Sequence, residues 1–544
     1  MQYAQKMVRK SVKSIKNKKK RKKTIAKFMQ QEYIIYANDC IKEEVRNMNR
    51  AAGILLSISS LPSKYGIGCF SKSAYDFVDW LKQAGQTYWQ ILPIGPTGYG
   101  DSPYQSFSTF AGNPYFISLE ELIKEGVLTE EECDSADFGM DIASIDYKKL
   151  YETRYVLLRK AYERSHISEN LEYREFLETN RWWLSDYALF MAVKDRFGGK
   201  PWMEWAEDIR LRWKNAIEYY HTELYFDIEF QYYMQFLFFK QWKKLKAYAN
   251  EKGIQIIGDI PIYVAMDSAD AWANPELFQL NEENIPIAVA GCPPDGFSAT
   301  GQLWGNPLYR WEYHKNTGYQ WWISRLNYCF QLYDVVRVDH FRGFDEYYSI
   351  PYGEKTAVHG HWEKGPGIDL FRKVEQALGH RNVIAEDLGY MTDSVRQLVL
   401  DSGFPGMKVL EFAFDARDTG CASDYLPHNY IEHCVAYTGT HDNETINGWF
   451  KDITKEEQTM AREYLCDFTT PNKKLHKSFI CLIMRSRANL CIIPIQDYLG
   501  LGSEGRMNRP STVGTNWKWR VTLEQLSEEV KEEIYQITKR YGRI

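Results

Sequence analysis

No run of apolar residues in this chain reaches the roughly 20 that a membrane-spanning helix requires, which excludes a helical membrane protein. Nor do any cysteines fall at paired metal-ligand spacing. The ten are scattered from Cys40 to Cys491, and in a chain of 544 residues they read as reduced, cytoplasmic thiols and not as a disulfide framework. No glycine-rich phosphate or dinucleotide loop stands out, and no Cys/His cluster, so neither an organic cofactor nor a metal is expected. Acid is missing from residues 1–30, which hold 12 Lys or Arg; the whole chain carries −5, so the rest carries −17. An acidic body argues against a nucleic-acid partner for the folded part.

The lysine-dense stretch Lys16 to Lys27 admits three readings: a solvated basic tail, a targeting segment, and an upstream extension outside the functional protein, with Met48 as its candidate start. The second lacks a long apolar core and a small-residue cleavage pattern. Met48 directly precedes the first strand-like segment, so residues 1–47 are expected to be a basic extension without catalytic role. Aromatics are abundant at 15%, with 17 Trp and 38 Tyr. Most are expected to fill a large core; the rest suit the C–H face of a sugar ring.

Eight strand-like segments follow one another: Gly53 to Ser59, Tyr88 to Ile94, Ile256 to Val264, Asp334 to His340, Val383 to Asp387, Met407 to Phe414, Cys434 to Thr440 and Leu490 to Gln496. Several are near-continuous apolar runs, as expected of parallel strands covered on both faces. Helical patterns intervene, such as Ala74 to Ala84. The reading is α/β: a (β/α)8 TIM barrel, the catalytic domain spanning residues 48–522. About 160 residues between the second and third strands are too many for a loop. They look helical and aromatic (Trp182 to Phe197, Phe230 to Ala249), so an inserted helical subdomain is expected at about 97–250. Residues 523–544 read as a closing amphipathic helix, Leu523 to Tyr541.

Three carboxylate motifs end three of these strands, at intervals of 47 and then 56 residues: Arg337-Val338-Asp339-His340, Ala385-Glu386-Asp387 and Thr440-His441-Asp442-Asn443. Acids gathered at the carboxyl ends of barrel strands sit where such barrels keep their active sites. Their number suits glycosidic-bond chemistry, in which one acid protonates a leaving oxygen and an ionised carboxylate attacks or stabilises the sugar. Residues two apart on a strand share a face, so Arg337 and Asp339 look one way and Val336 and Val338 the other. The guanidinium is expected to favour an ionised Asp339; a structural ion pair is the alternative. Glu386 suits a general acid with a raised pKa. Asp387 points oppositely and reads as structural. Asp442 is placed to balance positive charge on a developing oxocarbenium-like sugar. Two loops complete the pattern: the turn-rich Gly98 to Tyr104, and Pro293 to Pro307, whose Gly and Pro mark an irregular loop.

These motifs resemble those of the 4-α-glucanotransferases, the amylomaltase or disproportionating-enzyme family (glycoside hydrolase family 77) of the α-amylase clan. The matching segments are ILLSISSLPSKYGIG, GDSPYQSFSTFAGNPY, IIGDIPIYVAMDSADAW, PPDGFSATGQLWGNPLY, VVRVDHFRGF, VIAEDLG, FPGMKVLEFAF and YTGTHDNET, together running from about Met48 to Arg520. The resemblance implies Asp339 as nucleophile, Glu386 as general acid/base and Asp442 as transition-state stabiliser. It implies that Arg337 orients the nucleophile, that His441 binds sugar hydroxyls, and that Tyr104 stacks on the sugar beside the cleavage point. Asp259 matches the acid of the third strand, and Gly301 to Asn306 the loop that covers bound glucan. Asp101, Ser102, Trp304, Asn306 and Asn443 join the expected substrate-binding set. In Asn508-Arg509-Pro510-Ser511-Thr512 the family commonly has Gly where Ser511 stands.

The implied activity is transfer of α-1,4-glucan segments to the 4-hydroxyl of glucose or another glucan, with retention. Expected partners are maltooligosaccharides, starch- or glycogen-derived glucans and glucose. An α-glucan hydrolase of the same clan would share the three carboxylates, and only the resemblance selects transfer. A non-catalytic glucan-binding protein is disfavoured by the intact Asp339, Glu386 and Asp442.

Overall fold

The computed structural model describes residues 50–98, 100–294, 298–389, 391–416 and 424–544. The expected extension 1–47 lies outside them. In chain order the strands are β1 (Ala51–Leu55), β2 (Tyr88–Gln90), β3 (Gln255–Pro261), β4 (Ala288–Cys292), β5 (Gln302–Pro307), β6 (Val335–Asp339), β7 (Glu346–Pro351), β8 (His361–Lys364), β9 (Val383–Ala385), β10 (Gly406–Val409), β11 (Cys434–Tyr437) and β12 (Leu490–Pro494). Eight close into a parallel barrel in the order β1-β12-β11-β10-β9-β6-β3-β2. Each of the eight segments picked out from sequence contributes one barrel strand.

Register decides what faces the interior. Asp259 on β3 pairs with Arg337 on β6, and Pro261 with Asp339. Paired residues of parallel strands point to the same side, so Asp259 joins Arg337 and Asp339 inside the barrel. Val336 and Val338 go to the outer face, and both are buried there. The strands stop short of their sequence-read ends on the carboxyl side. After Val409 the chain turns into a 3-10 helix, Leu410–Phe412, and β9 ends at Ala385, one residue before Glu386. Carboxylates crowded at a strand end need backbone N–H groups, and a strand that continued its ladder could not supply them.

Between β2 and β3 the main elements are two long helices, Leu171–Arg196 and Tyr225–Glu251. The first is started by Asn170, whose side chain accepts from the Tyr173 amide. They pack through rings: Tyr173 on Phe236, Phe176 on Phe239 and Trp183 on Phe239, with centroids 5.5–6.0 Å apart. The second helix also touches the barrel, since Trp242 meets Tyr333 at 6.3 Å and donates to the Leu332 carbonyl. Residues 100–113 run as loop, with a bridge between Thr97 and Ser106.

A second correction concerns Pro293 to Pro307, read as an irregular loop. Its latter part is β5, and β5-β4-β7-β8 form a four-stranded antiparallel sheet drawn from the connections after β3 and β6. Pairing across the β4–β5 hairpin slips between Val289 and Gly291. The closing helix begins at Glu528, later than Leu523, because the Ser527 hydroxyl accepts from the Val530 amide and sets the start. Just beyond it, the buried Arg543 donates to the carbonyls of Met484, Ala51 and Asn489, capping the amino ends of β1 and β12.

Gly258 lies on the outer face of β3, where an added Cβ would fall 2.2 Å from the Tyr333 ring. That ring is the link between the long helix and the barrel. Gly258→Ala is expected to destabilise the protein by about 1–3 kcal/mol through overpacking, measured as the urea-unfolding midpoint against wild type.

Candidate active site

The mouth of the barrel is organised around Arg337, which is buried to 3% exposure. Its Nη1 lies 2.7 Å from both carboxylate oxygens of Asp259 and 3.0 Å from Asp339 Oδ1. Its Nε faces Met407 Sδ at 3.4 Å. Asp259 is fully buried inside β3, so it acts on the site through Arg337 and through the Tyr104 hydroxyl, which donates to its Oδ2 at 2.7 Å. The Tyr104 ring stacks on His441, with centroids 4.9 Å apart and an interplanar angle of 17°.

Asp339 keeps a quarter of its side chain open, at 27% exposure. Burial of the carboxyl pushes its pKa up to about 6, against the opposing pull of Arg337. Arg337 was expected to favour the ionised form; burial outweighs it, and the Asp259 charge adds to the rise. Glu386 is raised further, to about 7, first by burial and then by the neighbouring Asp339 charge. Both of its oxygens accept backbone amides, from His340 at 2.6 Å and Leu388 at 2.9 Å. A pair that strains to hold two charges keeps one proton, and the raised residue keeps it.

Asp442 goes the other way. Burial alone would raise it, but His441 Nε2 at 3.3 Å and the Asn508 amide at 2.6 Å bring it down to about 2. His441 is correspondingly raised by the Asp442 charge, despite its own burial. Asp387 binds the Met407 amide at 2.7 Å through Oδ1, away from the mouth, which is the structural use read from sequence.

The remaining expected residues spread around this centre. The Ser102 hydroxyl accepts from the Tyr104 amide at 3.3 Å and so shapes the turn that aims the ring. Asp101 has left-handed backbone, φ 59°. It lines a neighbouring hollow with Ser57, Thr97, Asn113 and Trp517. Burial lifts its pKa to about 6, opposed by Lys518. Asn443 takes the Thr440 amide and hydroxyl on its Oδ1, at 3.0 and 2.9 Å, which curls the loop carrying Asp442. Trp304, on β5, sets its ring at right angles to His340, with centroids 4.9 Å apart. Asn306 commits both ends of its amide to the protein, donating to the Val264 carbonyl and accepting from Gln105.

Three residues here were not read from sequence. Asn508 holds Asp442. Arg506 donates to the Asp442 carbonyl at 3.0 Å and to Glu444 at 3.1 Å. Trp517 lies 5.9 Å from both the Tyr104 and His441 rings. All belong to the stretch after β12, whose only signal was the Asn508–Thr512 motif.

A profile of the 4-alpha-glucanotransferase family matches residues 56–525. The chain belongs to this family. The 4-alpha-glucanotransferase of Clostridium butyricum is 48% identical over 490 residues, spanning 90% of this chain and 100% of that relative. That of Thermus thermophilus is 47% identical over 489 residues, spanning 88% and 96%. Among solved structures, an amylomaltase from Streptococcus agalactiae in complex with acarbose superposes with a TM-score of 0.88 at 42% identity, covering 91% of this chain and 99% of that one. A second amylomaltase, from Corynebacterium glutamicum, has the same fold, with a TM-score of 0.70 at 19% identity over 91% of this chain and 75% of that one.

Ser511 stands where the resemblance leads one to expect glycine, and the backbone there favours glycine. Ser511 stands at φ 64°, a left-handed conformation that glycine adopts freely and a residue with a Cβ does not. Its side chain is exposed. Ser511→Gly is expected to stabilise the protein by about 0.5–1 kcal/mol with turnover unchanged; a lowered thermal midpoint would contradict the strain.

Proposed function

We infer that this protein is a 4-α-glucanotransferase that moves α-1,4-glucan segments by a retaining double displacement. Family membership supports the activity. The mechanism is supported by Asp339 held 3.0 Å from the buried Arg337 at the end of β6, with Glu386 just past the end of the adjacent β9 and raised by burial and by the Asp339 charge.

In the first half, Glu386 gives its proton to the scissile glycosidic oxygen. The C1–O bond breaks, Asp339 bonds to C1, and the reducing-end fragment leaves with a free 4-hydroxyl. In the second half, the 4-hydroxyl of an acceptor passes its proton to Glu386 and attacks C1. The Asp339–C1 bond breaks and the carboxylate returns to Arg337. Two inversions retain the α configuration. Asp442, ionised through His441 and Asn508, faces the positive charge that develops at C1 in both halves. Tyr104 offers a ring on which the sugar stacks, and Trp304 lies on the hairpin that follows β3.

Maltooligosaccharides, starch- or glycogen-derived glucans and glucose are the substrates of this reading. The relative solved with acarbose supports an α-glucan ligand. No helix among the described residues is long and apolar enough to cross a membrane. Eight free cysteines among those residues support a reducing, cytoplasmic setting.

Incubation with maltotriose, followed by separation of products by length, tests the activity. Glucose together with maltopentaose and longer chains, at a constant number of reducing ends, is the expected result. Glucose and maltose alone, with reducing ends rising, would make water the acceptor and the protein a hydrolase.

Asp339→Asn removes the nucleophile and leaves the cleft in place. Turnover is expected to fall by at least about 10⁴-fold, while maltooligosaccharide binding, followed by calorimetry, persists. Activity near that of wild type would take the covalent step away from Asp339.

A further inference from the structure

His340 stands immediately after Asp339 and breaks a backbone rule: its φ is 54°, its ψ 48°, and it is not glycine. Left-handed backbone at a residue with a Cβ costs roughly 1–2 kcal/mol, and it persists only where the surroundings hold it. The turn ends β6. The His340 amide N–H donates to the Glu386 side chain, at Oε2 and 2.6 Å, and the left-handed residue then points the following amide back to β9. The next residue completes a clamp: the Phe341 amide donates to the Glu386 carbonyl at 3.0 Å, and the Glu386 amide donates to the Val338 carbonyl at 3.1 Å. Three bonds thus tie the chain on either side of the nucleophile to the acid/base.

The imidazole packs over the turn. It is packed edge-to-face against Trp304, with centroids 4.9 Å apart, and lies 6.4 Å from the Tyr263 ring. It is neutral: burial, with Arg342 nearby, brings it down to about 3.

We propose that His340 is a positioning residue for the acid/base, its left-handed backbone closing the clamp that holds the His340 N–H on Glu386, where it stabilises the carboxylate form needed when the acceptor is deprotonated. The ring's contact with Trp304 ties the β4–β5 hairpin to the same turn. A hydrogen bond to the ionised form of an acid favours it, so this donor works against the burial that raises Glu386. The other groups facing Glu386 are Asp339, whose charge raises it, Arg337, which lowers it, and the Leu388 amide, which also lowers it. Tyr425 lies close enough for the Glu386 charge to raise its own pKa. None of these is altered by a substitution at His340 that leaves the fold intact.

The inference rests on Glu386 as the acid/base, and that role has its own control. Glu386→Gln should abolish turnover of maltotriose, whose departing sugar needs a proton, while an α-maltosyl fluoride donor, whose leaving group needs no acid, should still release fluoride. Maltotriose turnover near that of wild type in this variant would take the acid/base role from Glu386, independently of His340. The inference itself is tested with three variants carried through a pH profile of disproportionation. His340→Gly and His340→Asn both tolerate φ near +54° and keep the N–H where it is; their alkaline limb should stay at the wild-type position even if KM rises. His340→Val disfavours that φ and should move the limb upward by about one pH unit, with kcat reduced more than KM is changed. Recovery of the limb in the Gly and Asn variants separates backbone delivery from general damage to the fold. A limb unmoved in all three, or moved equally in all three, would overturn the proposal.

Discussion

One guanidinium governs this site. Arg337 lies inside the barrel where desolvation of a charge costs several kcal/mol unless partners meet it. Asp259 meets it, with both oxygens at 2.7 Å. That pairing is possible because β3 and β6 are adjacent and in a register that sets the two residues side by side. Asp339 then approaches the same nitrogen from the open end at 3.0 Å. It therefore shares a cation that is already largely neutralised. The result is a carboxylate fixed in place by a strong partner and yet raised in pKa, because burial is the larger effect on it. A nucleophile must be ionised but not so stabilised that it will not bond to carbon, and the shared arginine suits Asp339 to the nucleophile role proposed for it.

The protonation of Glu386 follows from the same shortage of positive charge. The mouth holds Arg337 and, raised by Asp442, His441, against the carboxyl groups of Asp259, Asp339, Asp442 and Glu386. Asp442 is secured by His441 and Asn508, and Asp259 by Arg337 and Tyr104. Glu386 is bonded only to backbone amides and faces a like charge. Of Asp339, Asp442 and Glu386 it is the one raised furthest, which suits the acid/base role proposed for it, as the lowered Asp442 suits the charge-balancing one.

Much of this was legible in the sequence, for a physical reason. A parallel strand covered on both faces must be almost wholly apolar, so an acid at its end, as in Val335 to Asp339 or Val383 to Glu386, stands out sharply. The barrel and its three carboxylates rest on that contrast. The antiparallel sheet gave no such signal. Ala288–Cys292 is short, small and glycine-bearing, and Gln302–Pro307 ends in proline; both read as turn material until paired with each other and with β7. Asn508, Arg506 and Trp517 were hidden differently. Their value comes from packing against β11's loop some 65 residues earlier in the chain, and single-residue chemistry does not announce a distant partner. Ser511 was visible as an oddity in a motif, and its left-handed backbone explains why.

The carboxylates alone do not decide between transfer and hydrolysis. An activated water and an activated sugar hydroxyl would both lose a proton to Glu386 and both attack the same carbon. Discrimination has to come from what occupies the space beside them. Two partly exposed rings from separate places stand near the site: Tyr104 from the connection after β2 and Trp304 from the hairpin after β3, with the buried Trp517 from beyond β12 packed against Tyr104 and His441. A ring face or edge suits a sugar more than a lone water. A glucan acceptor gains stacking on such surfaces and displaces solvent as it binds, whereas water gains nothing and is pushed out by the same event. Preference for transfer is therefore a property of the loops and insertions that cover the barrel, and the three carboxylates supply chemistry common to both outcomes.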